Sequence, residues 1–146
     1  SHVALFSQVT RVACYCRDIL GIREGDVVAA VMPNVVETVI LMLAVNALGC
    51  AWTSCSPDFG IHAVLDRFGQ VKPKLLLVSD CYFYKGRMFN TMSKTDTIVA
   101  ALSSLAHVLV VQMLPEKSRE FAVNDKYRCF SDALEHEQGS EDFAFC

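Results

Sequence analysis

Four short apolar runs recur along the chain, and each follows a segment whose apolar residues have helical spacing. The segments of helical spacing cover residues 3–20, 35–48, 61–71 and 94–106. The apolar runs cover residues 26–32, 50–55, 74–80 and 107–112. Short continuous runs of this kind are typical of strands that are buried on both faces of a parallel sheet. The alternation therefore predicts consecutive β-α-β units, in an α/β, Rossmann-like fold with a mostly parallel sheet and flanking helices.

Charge and hydropathy argue against two classes of partner. The formal net charge is -3, whereas nucleic-acid binding needs a basic face. The longest apolar run, residues 39–52, is shorter than the roughly 20 residues that a membrane helix needs, and Asn46 interrupts it. We therefore expect no nucleic-acid partner and no membrane span, and we predict a buried core helix in this region.

The seven cysteines lie within hydrophobic stretches and not at the turn-rich spacings of a disulfide-stabilised secreted domain. Cys14 and Cys16 are two residues apart on a predicted helix, so their side chains point to nearly opposite sides. No C-x-x-C occurs, and the four histidines form no pattern with the cysteines. The cysteine pattern predicts free thiols in a reducing compartment and no metal site.

The character of the chain changes after Leu114, where the sequence becomes polar and finally acidic. We predict an α/β unit over residues 1–114 and a surface segment over residues 115–146. The chain begins with Ser1 and ends with the apolar residues FAFC without a helix cap. These ends lead us to expect that the sequence is cut from a longer protein.

Three connections follow predicted strands, at residues 32–35, 53–60 and 79–87. Ligands of parallel α/β sheets bind at the carboxyl ends of the strands, so we expect these connections to meet at a ligand-binding edge. The second connection suits either a turn in which Ser56 or Asp58 caps the next helix, or the rim of a binding site. The third contains Lys85 and Arg87 beside a glycine, which suits either a phosphate contact or a solvated basic turn.

Familiar catalytic signatures do not occur in the sequence. The glycine motif G-x-G-x-x-G, the phosphate-binding motif G-x-x-x-x-G-K-[ST] and the nucleophile elbow G-x-S-x-G are all missing. His62 and Asp66 are one helical turn apart, a spacing that favours an ordinary core or surface pair. We predict no catalytic residue within this chain.

One stretch resembles a known family. The residues WTSCSPDFG, followed shortly by VLDRFGQVKPKLL, are similar to the acetoacetyl-CoA synthetases of the adenylate-forming acyl-CoA synthetase superfamily. Upstream, GIREGDVVAAVMPN has the superfamily pattern G-x-x-x-G-D-x-V and then PN, whereas W-x-S-x-SPDFG is specific to the acetoacetate branch. The resemblance continues through YKGR, HVLVV and FSDAL and so covers nearly the whole chain.

The resemblance implies a cytosolic acid–thiol ligase that uses acetoacetate, ATP with Mg²⁺ and coenzyme A. In this family a carboxylate attacks ATP to form an acyl-adenylate, and the coenzyme A thiol then displaces AMP. The Ser/Thr/Gly-rich phosphate loop of the family does not occur here, nor does the C-terminal domain with its lysine. We therefore expect part of the N-terminal domain, inactive alone, with no resident metal or prosthetic group. A free-standing Rossmann-like binding or interaction domain is the alternative.

The resemblance also implies a coenzyme A site. Its residues are Trp52, Thr53 and Ser54 beside the pantetheine path, and Lys85 and Arg87 near the nucleotide phosphates. Related acetyl-CoA synthetases have two arginines in the second loop, and here Tyr84 occupies the first of those places. We assign Asp58 and Arg67 to capping and structure.

Overall fold

The computed structural model describes residues 2–113 and 126–136, and it contains the predicted alternation of strands and helices. The helices are α1 (His2–Asp18), α2 (Val36–Ala47), α3 (Ile61–Val71), α4 (Met92–Ala101) and α5 (Phe130–Leu134). The strands are β1 (Val27–Val31), β2 (Ala51–Cys55), β3 (Leu75–Ser79), β4 (Cys81–Tyr84), β5 (Arg87–Asn90), β6 (His107–Val111) and β7 (Tyr127–Cys129).

Five of the strands form one sheet in the order β2-β1-β3-β6-β7, and every neighbouring pair is parallel. The central strand β3 is buried along its whole length. Its apolar sequence, LLLVS, suits that position, because a central strand of a parallel sheet has no solvent-facing side. The prediction of an α/β fold with a mostly parallel sheet and flanking helices is confirmed.

The two faces of the sheet carry separate apolar clusters. Leu75 and Leu77 pack in the cluster that contains residues of α1, α2 and α5. Leu76 and Val78 pack in the cluster that contains residues of α3 and α4. Successive strand residues point to opposite faces, so the unbroken apolar run of β3 supplies both layers.

The third predicted connection, residues 79–87, differs from the expectation of a loop. It is mostly an antiparallel hairpin, in which β4 pairs with β5 as a separate two-stranded sheet. Lys85 and Gly86 form its tip and have φ values of 50° and 75°. Two consecutive residues with positive φ make the tight turn that matches the twist of paired strands.

Part of the predicted surface segment belongs to the sheet. Strand β7 pairs with β6, with Leu109 opposite Arg128, and Phe130 and Ala133 of α5 are buried in the core. Residues 127–134 thus contribute to the sheet and its core, and a strand of three residues carries no apolar run that would reveal this in the sequence. The rest of the segment lies outside the described residues, so the division at Leu114 stays a prediction.

Six of the seven cysteines lie in the described part of the chain, and all six are free thiols. Burial raises the pKa of Cys16, Cys50, Cys55 and Cys129 above the usual range. Over residues 2–113 and 126–136, no helix is long and apolar enough to cross a membrane. The same residues contain no group of three or more His, Cys, Asp or Glu side chains that could hold a metal ion.

Helix α2 allows a matched test of this packing. Leu41 is 0% exposed and Leu43 is 39% exposed on the same helix. Leu41→Ala should lower the free energy of unfolding by about 2–5 kcal/mol, because it removes apolar contacts and leaves a cavity. Leu43→Ala should cost less than about 1 kcal/mol. Urea unfolding of both variants measures the difference, and equal costs would contradict the assigned orientation of α2.

Candidate functional site

The carboxyl ends of the parallel strands lie at one edge of the sheet. In the register, Val31 of β1 is opposite Cys55 of β2 and Val78 of β3, and Ser79 is opposite Val111 of β6. The connection after β2 and the hairpin after β3 therefore leave from the same edge. Strand β1 separates them, which places their starting points roughly 10 Å apart.

The three predicted residues of β2 do not share one face. Trp52 is half-buried and packs against the cluster on the α1 and α2 side. Thr53 is half-buried and its Oγ1 accepts a hydrogen bond from Arg67 Nε of α3 at 3.3 Å. Ser54 is exposed, on the same side of the strand as Trp52. The sheet therefore divides this group between its two faces, and Arg67 makes a structural contact with β2.

The turn after β2 does not cap helix α3 in the way that was expected. The amide of Phe59 donates to the carbonyl of Ser56 at 3.1 Å, and the Ser56 hydroxyl donates to the Asp58 carboxylate. Helix α3 has Gly60 at its N-cap, with no side-chain hydrogen bond. The prediction that Ser56 or Asp58 caps α3 is wrong, because the N-cap position falls beyond both residues and their side chains pair with each other.

Lys94 holds this turn from α4, and sequence reasoning missed it. Its Nζ donates to the carbonyl oxygen of Pro57 at 2.8 Å and also to that of Phe59. Burial lowers the pKa of Lys94, and the Asp58 carboxylate opposes that shift. Lys94 lies on α4, which directly follows the hairpin, so its hydrogen bonds link the hairpin side of the fold to the turn after β2. No local pattern signals a contact between residues so far apart in the sequence.

The hairpin presents an aromatic and basic surface. Tyr82 and Phe89 are cross-strand partners whose rings stack at 5.3 Å between centroids. Tyr84 is opposite Arg87 on the same face, and the Lys85 ammonium lies 5.5 Å from the centre of the Tyr84 ring. Lys85 and Arg87 are exposed, and neither forms an ion pair with a described residue. Two cations at an exposed tip leave their charge available for an anionic ligand.

A separate shallow pocket of about 160 Å³ lies beside the carboxyl end of β6. None of the five predicted site residues lines it. Its walls are Glu37, Val110, Val111, Gln112, Phe130, Ser131 and Leu134. The predicted site residues, on β2 and the hairpin, therefore lie outside this pocket.

Comparison with known proteins gives consistent results. The model of the family described as "AMP-binding enzyme" matches residues 1–145. The acetoacetyl-coenzyme A synthetase of Rhizobium meliloti is 51% identical over 84 residues, which are 58% of this chain and 13% of that protein. The acetoacetyl-CoA synthetase of Xenopus tropicalis is 38% identical over 117 residues, which are 80% of this chain and 16% of that protein.

A solved structure extends the similarity to the fold. The acetoacetyl-CoA synthetase from Streptomyces lividans superposes with a TM-score of 0.84 at 32% identity, over 94% of this chain and 20% of that one. The chain thus spans about one seventh of the two curated relatives and one fifth of the solved structure. These matches confirm the resemblance to acetoacetyl-CoA synthetases, and the chain belongs to the AMP-binding enzyme family.

Proposed function

We propose that this chain is part of an acetoacetate–CoA ligase. The observation that carries the proposal is the match to the Streptomyces lividans synthetase, which covers 94% of the chain with a TM-score of 0.84. The similarity to full-length ligases supports this function over a free-standing binding or interaction domain. Because the chain spans a small part of these relatives, the activity belongs to a longer protein of which this chain supplies one unit.

The proposed reaction has two steps. A carboxylate oxygen of acetoacetate attacks the α-phosphorus of ATP, and pyrophosphate leaves to give the acyl-adenylate. The sulfur of coenzyme A then attacks the acyl carbonyl carbon, the thiol loses its proton, and AMP leaves. Mg²⁺ enters as the ATP complex. The described residues contain no acidic cluster for a metal and the sequence contains no phosphate loop, so we assign no adenylation step to this chain.

This chain is proposed to contribute the coenzyme A surface. Within the described residues β2 pairs only with β1, so one side of its backbone has no strand partner. Unpaired N–H and C=O groups at a sheet edge suit the two amides of pantetheine, beside Trp52 and Ser54. At the hairpin tip Lys85 and Arg87 supply charge-assisted hydrogen bonds to the nucleotide phosphates. Tyr84 adds no positive charge, so these two residues are the cations of the hairpin.

We also propose a cytosolic location and a domain boundary. The six free cysteines of the described residues suit a reducing compartment. Residues 126–136 are proposed to belong with residues 1–114 in the α/β unit, since β7 completes the sheet.

The first functional prediction concerns the isolated chain. The purified 146-residue polypeptide should show no acetoacetate-dependent exchange of pyrophosphate into ATP, because its sequence lacks the phosphate loop. The Streptomyces lividans synthetase serves as the positive control. Exchange by the isolated chain above the level of a heat-denatured sample would overturn the assignment of adenylation to other parts of the enzyme.

A second functional prediction concerns Arg87. In the complete enzyme, Arg87→Ala should raise the KM for coenzyme A by about 5- to 150-fold, since a lost charge-assisted hydrogen bond costs about 1–3 kcal/mol. Pyrophosphate exchange, which needs no coenzyme A, should change little. Arg11→Ala removes an exposed arginine from α1 and is the matched control, with both half-reactions expected to stay normal. A normal KM for coenzyme A in Arg87→Ala would refute the phosphate contact.

The third functional prediction concerns Ser54. Because its side chain is exposed, Ser54→Leu should leave folding and pyrophosphate exchange intact, while the larger side chain obstructs pantetheine and slows thioester formation. Ser54→Ala, which adds no bulk, should behave like the wild type. The two half-reactions are assayed separately, by exchange and by thioester yield. Equal loss of both in Ser54→Leu would mean that β2 has a structural role alone.

A further inference from the structure

We infer that Asp80 is a positioning residue that sets the direction in which the hairpin presents Lys85 and Arg87 to coenzyme A. The inference rests on the proposed function, because it assigns a role to the element that carries the proposed phosphate contacts. It concerns three buried residues at the foot of the hairpin, Ser79, Asp80 and Thr91, which we call the hairpin base.

The hairpin projects from the molecule and is attached at one end. Strands β4 and β5 pair with each other and belong to a sheet separate from the five-stranded one. Residues 83–90 are all exposed, whereas Ser79, Asp80 and Thr91 are 1%, 4% and 8% exposed. The contacts of the hairpin base therefore decide how the projecting part is oriented.

Backbone and hydroxyl groups close the hairpin base. The Thr91 amide donates to the Asp80 carbonyl oxygen at 3.1 Å, and the Thr91 hydroxyl donates to the Ser79 carbonyl oxygen. These bonds join the residues that precede β4 and follow β5. The two strands therefore leave the core together, as one unit.

The Asp80 side chain joins this unit to the sheet. Its Oδ1 accepts a hydrogen bond from the Met113 amide at 3.0 Å, just beyond β6. The Asp80 amide also donates to the Val111 carbonyl oxygen at 3.1 Å. One residue thus connects the hairpin to the end of β6 through both its main chain and its side chain, so two hydrogen bonds restrain the orientation of the hairpin.

The energetics of Asp80 favour a role in positioning over one in stability. Its Oδ2 is buried and accepts no hydrogen bond from a described residue, and the described residues contain no ion pair to Asp80. The nearby Cys81 thiol is a weak donor, and burial together with the Asp80 carboxylate raises the pKa of Cys81 to about 11. A buried carboxylate with one satisfied oxygen is costly, so it is a poor source of folding free energy.

The length of the hairpin makes the position of its tip sensitive to the hydrogen bond between Asp80 and Met113. Four strand residues separate Asp80 from the tip, a length of about 14 Å at about 3.4 Å per residue. A tilt of about 10° at the hairpin base displaces the tip by about 2 Å, which is enough to break a charge-assisted hydrogen bond of about 2.8 Å. Losing the Asp80–Met113 bond should therefore weaken coenzyme A binding without any change at Lys85 or Arg87.

The test compares four variants of the complete enzyme: Asp80→Ala, Asp80→Asn, Arg87→Ala and the double variant Asp80→Ala/Arg87→Ala. Asp80→Ala should raise the KM for coenzyme A at least 5-fold and leave pyrophosphate exchange within about 2-fold of wild type. Asp80→Asn keeps an oxygen that accepts from the Met113 amide and should stay within about 3-fold of the wild-type KM. The double variant should raise the KM by less than the product of the two single effects, because residues that act through the same contact are not additive.

A different pattern overturns the inference. If Arg87→Ala raises the KM for coenzyme A and Asp80→Ala does not, or if their effects multiply, the hairpin base does not position the phosphate contact. If Arg87→Ala itself has no effect, the proposed coenzyme A site is wrong and the inference falls with it. Should Asp80→Ala not fold, Asp80→Leu replaces it, since leucine is close to aspartate in size but accepts no hydrogen bond, and it should give the same KM effect. A normal KM in Asp80→Leu would then reject the inference.

Discussion

The burial of β3 on both faces is the constraint on which the rest of the structure depends. Its side chains alternate between the two apolar clusters, and its backbone pairs with β1 on one side and β6 on the other. Burial of each large apolar side chain contributes about 1.5–3 kcal/mol, and the backbone groups are satisfied by the neighbouring strands. Because β3 ends at Ser79, the hairpin that follows starts from the middle of the sheet edge.

The proposed coenzyme A site draws on two separate parts of this fold. The residues of β2 come from the outermost strand, and the cations of the hairpin come from an arm rooted two strands away. Lys94 holds the turn after β2 from the helix that follows the hairpin, and Asp80 holds the hairpin to the end of β6. Buried or half-buried polar contacts thus connect groups that only meet in the folded chain.

Sequence patterns anticipated the elements that are apolar along their length and missed those that are not. Strand β3 was predicted at 74–80 from its apolar run, and the strand Leu75–Ser79 is buried at every position. Strand β7 has only three residues and becomes a strand through pairing with β6. The hairpin is exposed beyond Tyr82, so it has no burial pattern. Lys85-Gly86 is a pair suited to a tight turn, but residues 79–87 were predicted only as a connection after a strand. The five predicted site residues all lie on β2 or the hairpin, but the side of the strand to which each side chain points could not be predicted.

The sequence by itself determined the α/β alternation, the free cysteines and the family, because hydrophobic spacing and short motifs are local properties of the chain. Tertiary structure alone decided that Thr53 faces Arg67 while Ser54 lies on the opposite side of β2. It also decided that Asp80 is buried against Met113. These contacts join residues that are 14 to 33 positions apart. No local pattern specifies them, because they arise when packing of the two apolar clusters sets the distances between elements.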